Sequence, residues 1–471
     1  PSHGPASNDQ GGFAVGKVYV SDIIEQPGGG RFSARILMLV GLAMVFDGFD
    51  YMIVSFTMPQ ITEEMQLGFI ATGSLASFSL LGMLVGGFLS GYLADRYGRK
   101  HVMNASIMLY ALLTVPVFFV TTYDAFAVCR IMSGIGIGAV IPLSVTLVSE
   151  FAPTRHRGAY ITATKTFMMA GWVLAGLTAM FVVPNFGWRM CYLVGGFPFL
   201  YGVLMHFVMP ESVQWLLSKG RTQEALGIVN AINASLDAPK EGGYTVDEIE
   251  VPNAEGGGQL RALVSKKYLK TTVGIWLVAF TTCALSYGLT NWMPTVLLQS
   301  GYSVGASYGY TTLMNLLGCA GAVVAGLAAD RLGRIRSAYM AFLLAGLAVA
   351  FTAVFGFGGL MIPACALMGF AINYAYMSPA PITIEAYPTE IRATGQACVT
   401  TVARIGGFIT PMAIGGALES GSTFSTVLVV FLVPLCLAAL FTKLLIKTET
   451  KGVALEDLCG DTTVSNRTAN E

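Results

Sequence analysis

The stretch GYLADRYGRK (residues 91–100) occurs a second time, slightly altered, as GLAADRLGRI (residues 326–335). The two copies start 235 residues apart, and the same offset aligns EFAPTRHRG (150–158) with EAYPTEIRA (385–393). The offset also pairs Pro59 with Pro294, Gly134 with Gly369 and Gly171 with Gly406. So many matches at one ungapped offset indicate that the chain consists of two halves with the same architecture.

The overall composition separates this chain from soluble proteins. Of its 471 residues 54% are hydrophobic and 11% are charged, whereas a soluble domain carries about 25% charged residues. Apolar windows of about 20 residues, the length of a helix that crosses a bilayer, recur in both halves. We therefore predict an all-α integral membrane protein with twelve transmembrane helices in two pseudo-symmetric six-helix bundles. The predicted helix cores lie near 34–57, 72–93, 101–120, 125–148, 158–183, 190–209, 269–290, 306–328, 337–356, 359–381, 393–417 and 424–446.

The distribution of basic residues predicts how the chain is oriented. Of the 27 lysines and arginines, all but Arg130, Lys165, Arg189 and Arg404 fall on segments that share one side of the predicted membrane. The positive-inside rule places that side, and both termini, in the cytoplasm. The predicted parts are a cytoplasmic tail (1–30), a first bundle (31–209), a cytoplasmic linker (210–268), a second bundle (269–446) and a cytoplasmic tail (447–471). Because the formal net charge is zero, we expect no nucleic-acid partner.

Two parallel repeats are typical of secondary transporters, which hold the substrate near the midplane and rock one half against the other. A twelve-helix channel or a membrane enzyme would be the alternative. No catalytic constellation stands out in the sequence, and the eight cysteines show no metal-type spacing. We therefore expect a transporter, not an enzyme, that needs no metal and no cofactor.

The repeated motif has a physical role at a membrane surface. Its glycines permit a tight turn, Asp95 can face the N-terminus of a neighbouring helix, and the basic residues can anchor at an anionic leaflet. GYLADRYGRK fits the pattern G-x-L-x-D-R-x-G-R-K and so resembles the major facilitator superfamily. A set of topogenic charges would explain the basic residues but not the repeated aspartate. The resemblance implies a conformational latch, a cytoplasmic gate made of Asp95, Arg96, Arg99, Glu150, Arg157, Asp330, Arg331, Arg334, Glu385 and Arg392.

Several further stretches narrow the resemblance. They are DGFD (47–50), PESVQWLLSKGR (210–221), NWMPTVLLQ (291–299), ARIGGFITP (403–411) and TETKGVALEDL (448–458). Together they resemble the aromatic acid/proton symporter family of bacteria, and DGFD is the most specific of them. The chain departs from the family pattern at Gln214, where an arginine is usual, and Lys165 has no clear counterpart.

Five charged residues lie inside predicted membrane spans: Asp47, Asp50, Arg130, Lys165 and Arg404. Each such charge costs about 2.5–3.5 kcal/mol at the bilayer centre. Asp47 and Asp50 share one helix face, and two close carboxylates do not titrate independently. Our hypothesis is that Asp47, Asp50 and Arg130 form the proton-coupling element. Alternatively, the two acids only form structural ion pairs with Arg130. Because Thr282 and Leu285 occupy the matching positions of the second half, we expect proton handling in the first half alone.

The three intramembrane bases outnumber the two acids, which favours an anionic substrate. Arg404 could hold a carboxylate in a bidentate way, and Lys165 could assist it; otherwise both are charge partners of Asp47, Asp50 or Glu385. An aromatic substrate also needs apolar walls and stacking faces. The candidate wall residues are Tyr51, Phe167, Tyr287, Trp292, Asn373 and Tyr374, together with Phe56, Trp172 and Tyr376; the alternative is that they serve only packing or face lipid.

The predicted function is a proton-coupled symporter that imports a benzoate- or hydroxybenzoate-like carboxylate across the bacterial inner membrane. Its expected partners are a small organic anion, protons and the lipid bilayer, its energy source is the proton gradient, and it is expected to be a monomer. Two alternatives remain. One is an importer of a dicarboxylate or a non-aromatic ring acid. The other is a transporter-like sensor of aromatic acids that signals through residues 210–268.

Overall fold

A computed structural model describes residues 18–245, 248–249, 260–356, 358–387 and 389–445. Twelve helices in this part of the chain are long and apolar enough to cross a membrane, which confirms the predicted fold class. We number them α1 to α12. The described residues form no β-strand, and a single bridge joins Val18 to Ile249. The predicted tail 447–471 lies outside the described residues.

The first half contains six of the membrane-spanning helices. They are α1 (Gly29–Met65), α2 (Phe69–Tyr97), α3 (Arg99–Phe119), α4 (Tyr123–Glu150), α5 (Thr154–Phe186) and α6 (Arg189–Val208). Helix α3 tightens to 3-10 geometry at Val115–Phe119, and α6 is interrupted after Val194 and resumes at Pro198. Proline is favoured at the first position of a helix, where its missing N–H has no partner to lose. The predicted span near 190–209 is therefore present, but it contains a short turn that the sequence analysis did not predict.

The second half contains the other six: α7 (Leu269–Gln299), α8 (Val304–Leu332), α9 (Arg334–Phe355), α10 (Met361–Thr383), α11 (Thr394–Glu419) and α12 (Phe424–Lys443). Helix α10 has a break of its own, since its first segment ends at Met377 and a short segment, Ala380–Glu385, follows Pro379. The linker contains the short helices Val213–Ser218, Thr222–Ala234 and Leu260–Leu263. The N-terminal helix Val20–Ile24 precedes α1.

The repeat in the sequence corresponds to equivalent helix contacts. A Cβ atom at Gly134 of α4 would collide with the carbonyl of Ser79 on α2, and a Cβ at Gly369 of α10 would collide with that of Met314 on α8. Ser79 and Met314 are themselves separated by the offset of 235 residues. Small residues let transmembrane helices approach until their backbones touch. Both halves therefore use the same glycine-mediated contact at the same place.

The second glycine pair of the repeat behaves in the same way. Gly171 of α5 packs against the carbonyl of Val45 on α1, and Gly406 of α11 packs against the carbonyl of Phe280 on α7. Val45 and Phe280 are again related by the offset. The two inner helix pairs, α1 with α5 and α7 with α11, are thus built alike.

The two halves meet mainly through α1 with α7, α2 with α11 and α5 with α8. We call the end of the bundle that carries residues 210–268 the linker face, and the other end the opposite face. Tyr308 donates a hydrogen bond to Gln60 over 2.9 Å, and the Ile70 amide donates to Glu419 over 3.1 Å. All four residues lie near the opposite face, where α1 and α11 end and α2 and α8 begin. These hydrogen bonds join the two halves at the opposite face.

The segment before α1 packs against the linker. The Val18 amide donates a hydrogen bond of 2.7 Å to the carbonyl of Glu248, and the Asp237 amide donates one of 2.8 Å to that of Pro27. These bonds hold the start of the described chain and the linker together at the linker face.

Candidate functional site between the halves

Asp50 and Arg130 form a fully buried ion pair in the first half. Both side chains have 0% exposure, and Arg130 Nη1 lies 3.0 Å from Asp50 Oδ2. Arg130 Nη2 also donates to the backbone carbonyl of Asp50 over 2.9 Å, and its Nε donates to Ser79 over 3.1 Å. The hydroxyl of Thr114 donates to the second carboxylate oxygen over 2.6 Å. Both oxygens of Asp50 therefore have partners, as a buried charge requires.

Asp47 lies one turn earlier on α1 in a different environment. Its side chain is 1% exposed, yet its Oδ1 atom has no hydrogen-bond partner among the described residues, and no ion pair to it occurs there either. The nearby charges that act on it are Asp50 and, from the second half, Arg404. Gly48, between the two acids, packs against the carbonyl of Met168 on α5, where a Cβ would collide. The close approach of α5 thus fixes this part of α1 without giving Asp47 a partner.

Arg404 on α11 reaches across to the first half. Its Nη1 atom donates a hydrogen bond of 2.6 Å to the backbone carbonyl of Met83 on α2. The side chain is 9% exposed, and no carboxylate of the described residues pairs with it. The titratable side chains near it are those of Tyr287, Tyr376, Cys283 and Asp47. The guanidinium group is therefore held by a neutral acceptor and keeps donors that an anion could use.

Four aromatic rings surround the interface next to these charges, two from each half. The ring of Tyr287 lies 5.0 Å from that of Tyr51, 6.0 Å from that of Trp172 and 6.1 Å from that of Tyr376, each centroid to centroid and edge-on. We call Tyr51, Trp172, Tyr287 and Tyr376 the aromatic cluster. Edge-on rings of this kind present apolar faces and polar hydroxyls together.

Asn291 connects the cluster to the interface and was missed by the sequence analysis. Its Nδ2 donates to the Tyr51 hydroxyl over 2.9 Å, and its Oδ1 accepts a hydrogen bond from Ser55. Both partners belong to the first half, whereas Asn291 belongs to α7. Asn291 lies in the NWMP stretch, but nothing in the sequence indicates which helix it faces.

The structure does not bring all the predicted binding residues together. Trp292 is fully buried at the opposite face and donates to the carbonyl of Pro411 over 2.9 Å. The hydroxyl of Tyr374 contacts Ser337 of α9 at 3.3 Å. Asn373 Nδ2 donates to Gly369 over 3.1 Å within α10. Tyr374 and Asn373 thus contact residues of the second half, whereas the Trp292 ring also lies 6.4 Å from that of Phe69 in the first half, centroid to centroid.

Phe167 and Lys165 lie on α5, closer to the linker face than the aromatic cluster. The ring of Phe167 fills the space beside Gly41 of α1. Lys165 is partly exposed and forms no hydrogen bond or ion pair with any described residue. Lys165 is thus a second cation without a carboxylate partner, in addition to Arg404.

The predicted gate of the first half includes residues of the linker. Arg99 pairs with Glu150 and donates to the Ser212 hydroxyl over 2.8 Å. Ser212 in turn donates to Glu150 over 2.5 Å. Glu211 accepts the backbone N–H groups of Lys100 and Ser212 over 2.9 and 2.8 Å. The segment Pro210–Ser212 after α6 therefore joins the start of α3 to the end of α4, which the motif alone does not indicate.

The remaining gate candidates with described side chains lie at the ends of α2, α5, α8 and α9. In the second half, Arg334 pairs with Asp330 at 2.9 Å, and Asp330 is 74% exposed. Asp95 has an exposed side chain, and its backbone carbonyl accepts a hydrogen bond from Trp215 over 3.0 Å. The other candidates are Arg96, which lies over the Tyr97 ring, the exposed Arg157, and Arg331 at the end of α8. The side chains of Glu385 and Arg392 lie outside the described residues.

Comparisons with known proteins agree with this architecture. The family model of the Major Facilitator Superfamily matches residues 40–411. The niacin transporter NiaP of Acinetobacter baylyi is 33% identical, over 91% of this chain and 97% of the relative. The 4-hydroxybenzoate transporter PcaK of Pseudomonas aeruginosa is 30% identical, over 86% of this chain and 90% of the relative. The gallate transporter of Pseudomonas putida is 30% identical, over 85% of this chain and 89% of the relative.

Among solved structures, the chain is similar to the inward open conformation of the xylose transporter XylE from E. coli. The TM-score is 0.68 at 19% identity, over 90% of this chain and 99% of that one, so the likeness concerns the fold. The family match spans most of the chain, and the relatives are transporters rather than enzymes. The chain therefore belongs to the major facilitator superfamily, in the group of its aromatic acid transporters, and is a multi-pass membrane transporter.

Proposed function

We propose that the protein is a proton-coupled symporter that imports an aromatic monocarboxylate. The observation that carries this proposal is Arg404, a buried guanidinium group without a carboxylate partner among the described residues, beside the aromatic cluster at the interface of the halves. The relatives support the substrate class. Niacin, 4-hydroxybenzoate, gallate and benzoate, after which they are named, are all aromatic rings that carry one carboxylate group.

In this proposal the substrate bridges the two halves. Its carboxylate accepts hydrogen bonds from the free N–H groups of Arg404, a strong charge-assisted contact. Its ring lies among Tyr51, Trp172, Tyr287 and Tyr376, where the apolar faces exclude water and the hydroxyls can select polar ring substituents. A binding site made from both halves suits alternating access, because closing the halves completes the site.

Proton coupling follows from the position of Asp47. When Asp47 is ionised, it and the substrate carboxylate compete for the positive charge of Arg404. A proton on Asp47 removes that competition, so one proton and one anion bind together without a net buried charge. Asp50 has a different role, since Arg130, Thr114 and Ser79 hold it in a closed network. It serves as the permanent counter-ion of Arg130.

We place the linker face in the cytoplasm of the bacterial inner membrane, because the basic residues lie on that side. The opposite face, where the halves are in contact, then faces outward. The paired charges at the linker face, above all Arg99 with Glu150, act as the cytoplasmic gate. The proton gradient supplies the energy, no cofactor takes part, and a single chain is sufficient.

Equilibrium binding to the purified protein tests the substrate class. We expect nicotinate, benzoate and 4-hydroxybenzoate to bind, and nicotinamide and benzamide, which lack the charge, to bind at least tenfold more weakly. Succinate and cyclohexanecarboxylate test the two alternative substrate classes. Arg404→Gln should weaken the binding of the acids and leave the amides unaffected. Tighter binding of succinate than of the aromatic acids would refute the proposal.

A further inference from the structure

The hydrogen bond between Arg404 and Met83 requires a glycine at position 87, which lies outside all the sequence motifs described above. Gly87 lies one turn after Met83 on α2, and a Cβ atom built there would collide with Arg404 Nη1. The next nearest atoms are the Gly138 carbonyl oxygen at 3.4 Å and Arg404 Cζ at 3.5 Å. These are ordinary contact distances, so the guanidinium group is the main obstacle to a side chain at this position.

The acceptor of this bond is a backbone carbonyl oxygen that can accept two hydrogen bonds. In a regular helix the Met83 carbonyl accepts the N–H of residue 87, and a carbonyl oxygen has a second lone pair. Arg404 uses that second acceptor position. A backbone carbonyl orients the guanidinium group without neutralising it, whereas an aspartate in its place would compete with an anionic substrate.

We propose that Gly87 and the Met83 carbonyl form a seat that positions Arg404 for the substrate carboxylate. This inference rests on the proposed function, because it presumes that Arg404 binds the carboxylate. Since Met83 belongs to the first half and Arg404 to the second, the seat exists only while α2 and α11 are close together. Gly87 is thus a positioning residue, and closure of the halves aligns the anion-binding group.

The matched pair of substitutions is Gly87→Ala on α2 and Gly346→Ala on α9. Gly346 lies outside both copies of the repeated motif, and a Cβ there would meet nothing within 4 Å. Both changes remove a glycine from a membrane-spanning helix, but only Gly87→Ala displaces Arg404. We expect the KM for labelled nicotinate or 4-hydroxybenzoate uptake to rise about tenfold in Gly87→Ala, as for a lost hydrogen bond to a charged group. The maximal rate should stay within about twofold, and Gly346→Ala should match the wild type in both.

A second measurement needs no substrate and separates the seat from the proposed function. The thermal midpoint is measured for the wild type, Gly87→Ala, Arg404→Gln and the double variant, as a double-mutant cycle. Glutamine is shorter than arginine and does not reach the Cβ position at residue 87. Replacing a helical glycine by alanine also changes stability through helix propensity, so the midpoint of Gly346→Ala is the reference. Relative to it, we expect Gly87→Ala to lower the midpoint in the wild type and to cause no such loss in the Arg404→Gln background.

The uptake and midpoint measurements distinguish a failure of the seat from a failure of the proposed function. An equal loss of midpoint in both backgrounds, or failure of both Gly87→Ala variants to fold, would mean that Gly87 acts through helix packing, and the seat would be refuted. Coupling in the cycle with an unchanged KM would refute its role in positioning. If the wild type transports none of the aromatic acids while the cycle shows coupling, the proposed function fails and the seat itself stands.

Discussion

Asp47 and Asp50 lie one helical turn apart on α1, yet only Asp50 has an ion-pair partner, Arg130 at 3.0 Å. Asp47 is equally buried and has a carboxylate oxygen without any hydrogen bond among the described residues. A buried carboxyl group without a partner costs far more free energy when it is charged than when it is protonated. Asp50 is therefore the candidate structural ion, and Asp47 is the candidate proton carrier.

The substitution Asp47→Asn imitates the protonated, neutral form of this aspartate. Substrate binding to the wild type should weaken as the pH rises, because ionised Asp47 competes for Arg404. In Asp47→Asn the affinity should stay at its low-pH value throughout. The variant should lose uphill uptake driven by a proton gradient but retain exchange of internal for external substrate. An affinity that still falls with rising pH in Asp47→Asn would show that another group carries the proton.

Asp50→Asn should act on folding rather than on coupling. It leaves the guanidinium group of Arg130 buried without a counter-ion, which is destabilising by about 3–5 kcal/mol in comparable buried pairs. We expect low yields and a thermal midpoint several degrees below that of Asp47→Asn. The double variant Asp50→Asn/Arg130→Gln, which removes both charges, should recover part of the loss. A stable Asp50→Asn protein that has lost only its proton coupling would reverse the roles of the two aspartates.

Asn291 tests the contact between the halves. Asn291→Ala removes hydrogen bonds to Tyr51 and Ser55 across the interface, and each such bond contributes about 1 kcal/mol. The neighbouring Thr290→Val is the control, because the Thr290 hydroxyl is buried but has no hydrogen-bond partner in the described part of the chain. We expect Asn291→Ala to lower the thermal midpoint and slow uptake, with Thr290→Val close to the wild type. Equal effects of the two changes would argue against this contact.

At the linker face, we expect removal of an acidic group to affect uptake more in the first half than in the second. The side chain of Glu150, 8% exposed, is bonded to Arg99 and Ser212, whereas that of Asp330 is 74% exposed and pairs with Arg334 at the start of the next helix. Exposed ion pairs contribute about 0–1 kcal/mol. Glu150→Gln should therefore change the maximal uptake rate severalfold, and Asp330→Asn should change it by less than twofold. The maximal uptake rates of the two variants are measured in matched proteoliposomes and compared with that of the wild type. A larger effect of Asp330→Asn than of Glu150→Gln would contradict this prediction.

The sequence alone predicted the architecture well, because bilayer length and an ungapped repeat are long-range patterns that survive without tertiary information. Even the glycine pairs Gly134/Gly369 and Gly171/Gly406 form corresponding contacts. The break in α6 was missed, although Gly195, Gly196 and the following proline are local signals for it.

The site was predicted only in part. Spacing put Asp47 and Asp50 on one face, but which acid meets Arg130 depends on how α4 is rotated against α1. Trp292 and Tyr374 look like Tyr287 in the sequence, yet they point to Pro411 and Ser337. The partner of Arg404 is a backbone carbonyl, which no residue type reveals. Asn291 was overlooked because its partners lie more than 200 residues away.

Uptake into proteoliposomes tests whether the protein imports an aromatic carboxylate together with protons. Purified protein is reconstituted, and labelled nicotinate and 4-hydroxybenzoate are added with an acidic exterior, with and without a protonophore. We expect at least one of these acids to accumulate above equilibrium and the protonophore to abolish the accumulation. Accumulation that persists with the protonophore, or transport of neither acid by a folded protein, would contradict proton-coupled import of an aromatic carboxylate.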